Sequence, residues 1–321
     1  MIDENIIREQ FEKYGFVIVE GVFDPARDFK PILDDYAEAL DLLAVEWHRE
    51  GKISSLFADL PFEQRFTAVV SEARQPWTQY FDISLPQKDV LIDTPIHCSE
   101  AVFNLLRHPR LLDAVEIFLG AEIYSNPIQH VRIKAPERLL LPELRRGLAA
   151  QTSWHQDQGV ALPEADHTDI LTVWLPILDA TAENGCLQVI PGSYRGDLTT
   201  HCLGGVDGGL HIPDKLLNGQ PIPLPMKCGS VLFMHRLTKH SSLPNASNSI
   251  RWSLDLRYQP TGLPTGRPLF PGFVARSRQN PASALTDHRV WAARWHEVRA
   301  KLAQETSLVF NRWDGTSPVC A

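Results

Sequence analysis

The stretch Gln151-Thr-Ser-Trp-His-Gln-Asp-Gln158 decides how this chain is read. It sets His155 and Asp157 two residues apart in a segment of little helical character. On a strand, residues i and i+2 share a face, so an imidazole and a carboxylate would converge on one point. These are two of the three ligands of a 2-His-1-carboxylate facial triad, which leaves open positions on non-haem Fe(II). A surface strand can carry such a pair by chance. Its weight depends on the surrounding chain.

Upstream, the sequence is mostly helical. Glu4 to Tyr14 is amphipathic, with Ile7, Phe11 and Tyr14 about a turn apart, and Gly15 ends it before the β-branched strand Phe16 to Val19. Helical patterns follow over 27–50, 61–73 and 99–119, the last opened by Ser99 and closed by Gly120. From about Glu122 the texture changes to short strand candidates: 123–124, 128–134, 170–175, 186–190, 230–234 and 250–258, divided by Gly, Pro and Asn. Such spacing predicts an antiparallel barrel or jelly roll. Residues 203–223 and 260–281 read as long loops and 283–305 as a final helix. There is no internal repeat or clear linker. The expectation is one domain over 1–321: a helical layer to about 120, a β-core over 121–260, and a C-terminal loop and helix.

Composition narrows the function. The chain has 321 residues, 44% of them hydrophobic, and a formal charge of −8 with no basic run, which argues against a nucleic-acid partner. No apolar run is long enough to span a membrane, and the N-terminus lacks a signal-like apolar stretch. Five widely spaced cysteines without a CxxC predict free thiols in a reducing cytoplasm. Oligomeric state is not legible.

A facial triad needs a second histidine. Nine of the twelve histidines fall in helical patterns or near loops, leaving His235 and His240 beside His155. His240 has the better company: Ser242 stands two residues on, and Arg251 opens the next strand. An Arg there could hold a carboxylate bidentately, with the Ser242 hydroxyl sharing it. A 2-oxoacid cosubstrate that chelates a metal at one end requires that chemistry at the other.

His155-Gln-Asp157, Glu183-Asn-Gly-Cys-Leu-Gln-Val-Ile-Pro-Gly-Ser193, His240-Ser-Ser-Leu-Pro-Asn-Ala-Ser247 and Arg251, with the opening Phe11 to Gly21, resemble the phytanoyl-CoA dioxygenase family. The resemblance covers most of the chain. It implies a double-stranded β-helix (jelly-roll, cupin-like) core and a dioxygenase that uses Fe(II), 2-oxoglutarate and O2. It further implies iron ligation by His155, Asp157 and His240, a 2-oxoglutarate carboxylate on Arg251 and Ser242, and contacts to the cosubstrate from Gln129, Trp174 and Lys134. Gln158, His167 and Arg195 are candidates for substrate contact. Pro191-Gly-Ser-Tyr194 departs from the family's Pro-Gly-Ser-His, and the segment 137–150 is longer than expected and a candidate lid. Asp157 stands where halogenating relatives have a small residue, which favours hydroxylation or another oxidation of a small molecule.

Two other readings fit parts of the pattern. A cupin-like Zn or Mn enzyme without cosubstrate would use the three ligands but have no need of Arg251. A non-catalytic small-molecule binder would keep the fold but have no need of an intact triad.

Overall fold

The structure, a computed structural model, describes residues 3–305 and 309–320. Helix α1 (Glu4–Tyr14) is capped by the Asp3 carboxylate and stopped at Gly15, whose φ of 81° suits a residue without a Cβ. Strand β1 (Phe16–Val19) follows. The pattern predicted over 27–50 divides at Phe29 into α2 (Pro25–Asp28) and α3 (Lys30–Arg49). After α4 (Phe62–Ala73) and α5 (Thr78–Phe81), the helix predicted over 99–119 is two. Pro109 cannot continue a helix, so α6 (Glu100–Leu106) stops and α7 (Pro109–Leu119) starts afresh with proline in its first turn.

The β-core begins with β2 (Glu122–Lys134), one continuous strand where two were expected, and is followed by 3-10 turns through 137–149 and the short helix α8 (Asp157–Val160). Then come β3 (Leu171–Pro176), β4 (Leu187–Val189), the small hairpin β5 (Cys202–Leu203) and β6 (Leu210–His211), β7 (Ile222–Leu224), β8 (Val231–His235), β9 (His240–Ser242), β10 (Arg251–Pro260) and β11 (Phe273–Ser277). Helix α9 (His288–Leu302) buries Trp291 and Trp295. Both presumed long loops therefore contain strands.

A six-stranded sheet ordered β1-β8-β3-β10-β2-β11 faces a three-stranded sheet ordered β7-β4-β9, and all pairings are antiparallel. The protein is thus mainly β with flanking helices, a jelly roll whose sheets do not close into a barrel. Alternation along the large sheet divides its two faces. On β10, Trp252, Leu254, Leu256 and Tyr258 join the helices in the main core. Their neighbours Arg251, Asp255 and Arg257 line a cavity on the opposite face. Trp174, Leu187, Val189, Leu232 and Met234 pack between the two sheets.

One expectation is corrected outright. Cys202 and Cys320 form a disulfide across 118 residues, leaving Cys98, Cys186 and Cys228 free. The cysteines thus give no support to a reducing compartment. No helix among the described residues is long and apolar enough to cross a membrane.

Candidate metal centre and carboxylate anchor

His155 and Asp157 converge, but not along a strand. His155 makes an isolated bridge to His240, each accepting the other's N–H at 2.9 and 3.0 Å. The chain then turns, and Asp157 is the first residue of α8. Extended backbone at Gln156 followed by a helical turn brings both side chains to the point that the strand argument predicted for a different reason. One ligand atom from each of His155, Asp157 and His240 lies within 4.8 Å of the others.

Each histidine is oriented in the same way. His155 Nδ1 lies 2.8 Å from the carbonyl of Ser153, and His240 Nδ1 lies 3.0 Å from that of Thr238, two residues back in both cases. An N–H on Nδ1 leaves the Nε2 lone pair facing the site. Burial, with His240 beside it, pushes His155 down to about 3, so it is neutral at pH 7 and competent to ligate. Asp157 is almost fully buried, which alone would raise its pKa. The adjacent Arg257 guanidinium, the two imidazoles and the Thr172 hydroxyl outweigh burial and hold the carboxyl ionised.

Arg257 and Thr172 were not identified from the sequence. Arg257 Nη2 donates to one Asp157 oxygen and Thr172 Oγ1 to the other, while Arg257 Nη1 reaches the Ile128 carbonyl at 2.9 Å. The residues are cross-strand partners on β10 and β3. Alternation was the available signal, since in Arg251-Trp-Ser-Leu-Asp-Leu-Arg257 every second residue is polar, but the identity of Arg257's partner required the fold.

A tight cavity is lined by Trp174, Met234, Arg132, Asp255 and Arg251 as well as the triad, Thr172 and Arg257. Arg251 is on the opposite sheet from β9, not on the strand paired with it. It is 1% exposed and donates through Nη1 to Ser253, and its cationic head lies 5.6 Å from the Trp174 ring centre. Its Nε and Nη2 have no partner. Asp255, which could have paired with it, is taken by Arg132 at 2.6 Å. Burial lowers Arg251 to about 10, still a cation at neutral pH. Lys134 donates to Ser242 Oγ at 2.7 Å, and burial, with Arg251 and Arg132 nearby, pushes it well below its ordinary value.

The other candidates lie outside this group. Gln129 is buried on β2 but does not line the cavity. Gln158 is buried and spends its amide on Ala165 and Asp166. His167 is exposed, and Arg195 is an exposed side chain tied to the Glu12 carbonyl. These substrate-contact expectations lack geometric support because backbone acceptors or solvent already claim the side chains.

The donor set, two imidazoles and a carboxylate, fits a non-haem iron with open positions. The two unpartnered donors of Arg251 fit a carboxylate in the same cavity.

A family model described as phytanoyl-CoA dioxygenase (PhyH) matches residues 11–253. The 1-deoxypentalenic acid 11-beta-hydroxylase of Streptomyces arenae is 25% identical over 254 residues, 74% of this chain and 86% of that protein. Phytanoyl-CoA dioxygenase domain-containing protein 1 of Bos taurus is 24% identical over 286 residues, 79% and 94% of the two chains. Similarity to the peroxisomal phytanoyl-CoA dioxygenase of Bos taurus, at 27%, spans 50% of this chain and 46% of that one, about half its length. Among solved structures, the apo form of the non-heme monooxygenase ThoJ superposes with a TM-score of 0.54 at 17% identity, covering 93% and 99% of the chains. The epimerase SnoN, in complex with Fe3+, alpha ketoglutarate and nogalamycin RO, gives 0.51 at 19%, covering 82% and 87%. Those two likenesses concern the fold. The family match spans most of the chain and includes all three converging side chains and Arg251, and by it the chain belongs to the phytanoyl-CoA dioxygenase family of Fe(II)- and 2-oxoglutarate-dependent oxygenases.

Proposed function

We propose that this protein, as a single domain over 1–321, oxidises an unactivated C–H of a small molecule, by hydroxylation or a related reaction, with release of succinate and CO2. His155, Asp157 and His240 would hold the iron, and Arg251 the distal carboxylate of 2-oxoglutarate. The observation that carries this reading is the pair of unpartnered Arg251 donors, buried in the same cavity as the triad. A buried, charged donor without a partner costs upwards of ~1–3 kcal/mol, and among the described residues Arg251 alone has two on one guanidinium, side by side as a carboxylate would meet them. A cosubstrate-free metalloenzyme would have no use for it.

Bound iron supplies dioxygen activation, oxidative decarboxylation of the 2-oxoacid and attack on the C–H bond. The chain supplies the rest. His155 and His240 present lone pairs fixed by the Ser153 and Thr238 carbonyls. Arg257 and Thr172 hold Asp157 ionised and set its orientation. Arg251 offers two parallel N–H groups to a carboxylate, and the Trp174 face and Met234 exclude water around it.

Anaerobic titration with Fe(II) and 2-oxoglutarate tests this reading. The expected result is a weak visible charge-transfer band from the chelate that is lost in Arg251→Ala. Bound iron without any such band would remove 2-oxoglutarate from the proposal.

A further inference from the structure

The turn that carries Asp157 is held from behind by a part of the chain far away in sequence. His201 Nε2 accepts the N–H of Gln156, the residue between the two ligands, at 3.0 Å. Its Nδ1 lies 2.8 Å from the Thr199 carbonyl, so this imidazole, too, has its tautomer set by the backbone. A Cβ on Gly159 would collide with the His201 ring, so α8 packs directly against it. The Gln156 side chain is fully buried and closes the same unit: its amide donates to Leu237 at 2.8 Å and accepts from Thr199 N at 2.7 Å.

His201 is in turn covered by the C-terminal segment. Trp313 stacks on it with ring centres 5.2 Å apart, and Trp313 Nε1 donates to the Gly159 carbonyl at 2.8 Å. Arg312 forks onto Asp166 at 2.6 and 2.7 Å, six residues past the end of α8. The disulfide joins Cys202, next to His201, to Cys320, a few residues beyond Trp313. Covalent closure and aromatic stacking therefore converge on one four-residue helix, with the bidentate ion pair just beyond it, and none of these groups lines the cavity.

We propose that His201 and Trp313 are positioning residues for the metal-binding turn, held in place by the Cys202–Cys320 disulfide, so that reduction of this bond weakens metal binding. The inference rests on the metal-site reading above. An external dithiol would break the S–S bond, giving thiols on Cys202 and Cys320 and a cyclic disulfide on the reagent. The C-terminal segment would then depend on noncovalent contacts alone. Groups that orient metal ligands from behind typically contribute about 10–100-fold to metal affinity. His201 acts through one intervening residue, so roughly three- to tenfold is expected here.

The experiment is calorimetric titration of metal-free protein with Co(II), oxidised and then reduced with the reductant removed before titration. Thiol counting under denaturing conditions should give three of the five cysteines before reduction and five after. Reduced wild type, and Cys202→Ser/Cys320→Ser without reductant, should bind Co(II) roughly three- to tenfold more weakly and show an altered Co(II) d–d spectrum. Further reductant should leave the double variant unchanged. His201→Leu should show the same loss, and His201→Gln, which keeps an acceptor for the Gln156 N–H, should recover most of it. Five thiols in protein never exposed to reductant, equal affinity before and after reduction, or equal loss in the Leu and Gln variants would each overturn the inference. Wild type that binds no Co(II) in either state would instead sink the metal-site reading beneath it.

Discussion

At the metal end of the cavity, His155 and His240 each have Nδ1 against a backbone carbonyl, and both Asp157 oxygens have donors. At the anchor end, a buried guanidinium keeps two donors without acceptors beside a lysine far from its ordinary pKa. At one end the protein satisfies the ligand side chains and leaves only Arg257 Nε without a partner; the other end reaches satisfaction only with a ligand. The contrast separates preorganisation for a small ion, whose ligands must be neutral imidazoles and an ionised carboxylate, from preorganisation for an anion, where positive charge must be stored unpaired.

The largest effect should come from removing the residue on which the metal end converges. Asp157→Ala should abolish metal binding and leave Arg257 buried against no carboxylate, destabilising the fold by roughly 3–5 kcal/mol. Metal titration and urea denaturation of the same sample read both. Retained Co(II) affinity would break the comparison at its first side.

Arg251→Met should do the opposite to stability. The substitution removes an unsatisfied charge, so the ligand-free protein should gain about 1 kcal/mol, while 2-oxoglutarate affinity falls roughly 100-fold or more. Affinity for metal alone should stay within about twofold. A variant less stable than wild type would mean that Arg251 is satisfied without ligand, and the two ends would no longer differ.

Acidification probes the buried imidazoles. Burial holds His155 near 3 and both His201 and His235 near 4 in the folded protein, against about 6.5 in the unfolded chain. The unfolded state therefore takes up protons as the pH falls through 6.5, and the folded state does not until about 4. Stability contributed by these groups is complete above 6.5 and is lost on going down towards 4. Denaturation of metal-free protein should show a loss on the order of 4 kcal/mol between pH 7.5 and 5.5. A flat profile would show that these imidazoles are as solvated as in the unfolded chain.

Much of this could be read in the sequence, for identifiable reasons. Alternation placed the longer strands, and apolar spacing up to Gly15 bounded α1, because these are local signals. The triad was legible from type and spacing, although Asp157 starts a helix and does not continue a strand. What was missed is nonlocal. Arg257 meets Asp157 across a β10–β3 pairing, His201 reaches Gln156 from 45 residues away, and Cys320 pairs across 118. A buried partner leaves no mark on its own neighbourhood when the strand around it already alternates.

The finest test concerns the lysine at the anchor end. Ser242 Oγ accepts from Lys134 Nζ at 2.7 Å and from Thr152 N at 2.8 Å. A hydroxyl has two acceptor positions and one donor, so with both acceptors filled its hydrogen is left to donate. Lys134 thus acts by fixing the Ser242 rotor, and the two residues should behave as one unit. Lys134→Met and Ser242→Ala should each weaken 2-oxoglutarate binding about three- to fivefold, and the double variant should be no worse than either, since contacting groups couple. Binding calorimetry on the four proteins gives the cycle. Additive losses would mean that Lys134 meets the carboxylate directly. A Lys134→Met loss as large as that of Arg251→Met would move the principal anchor from strand β10 to strand β2, and the unpartnered guanidinium would need another explanation.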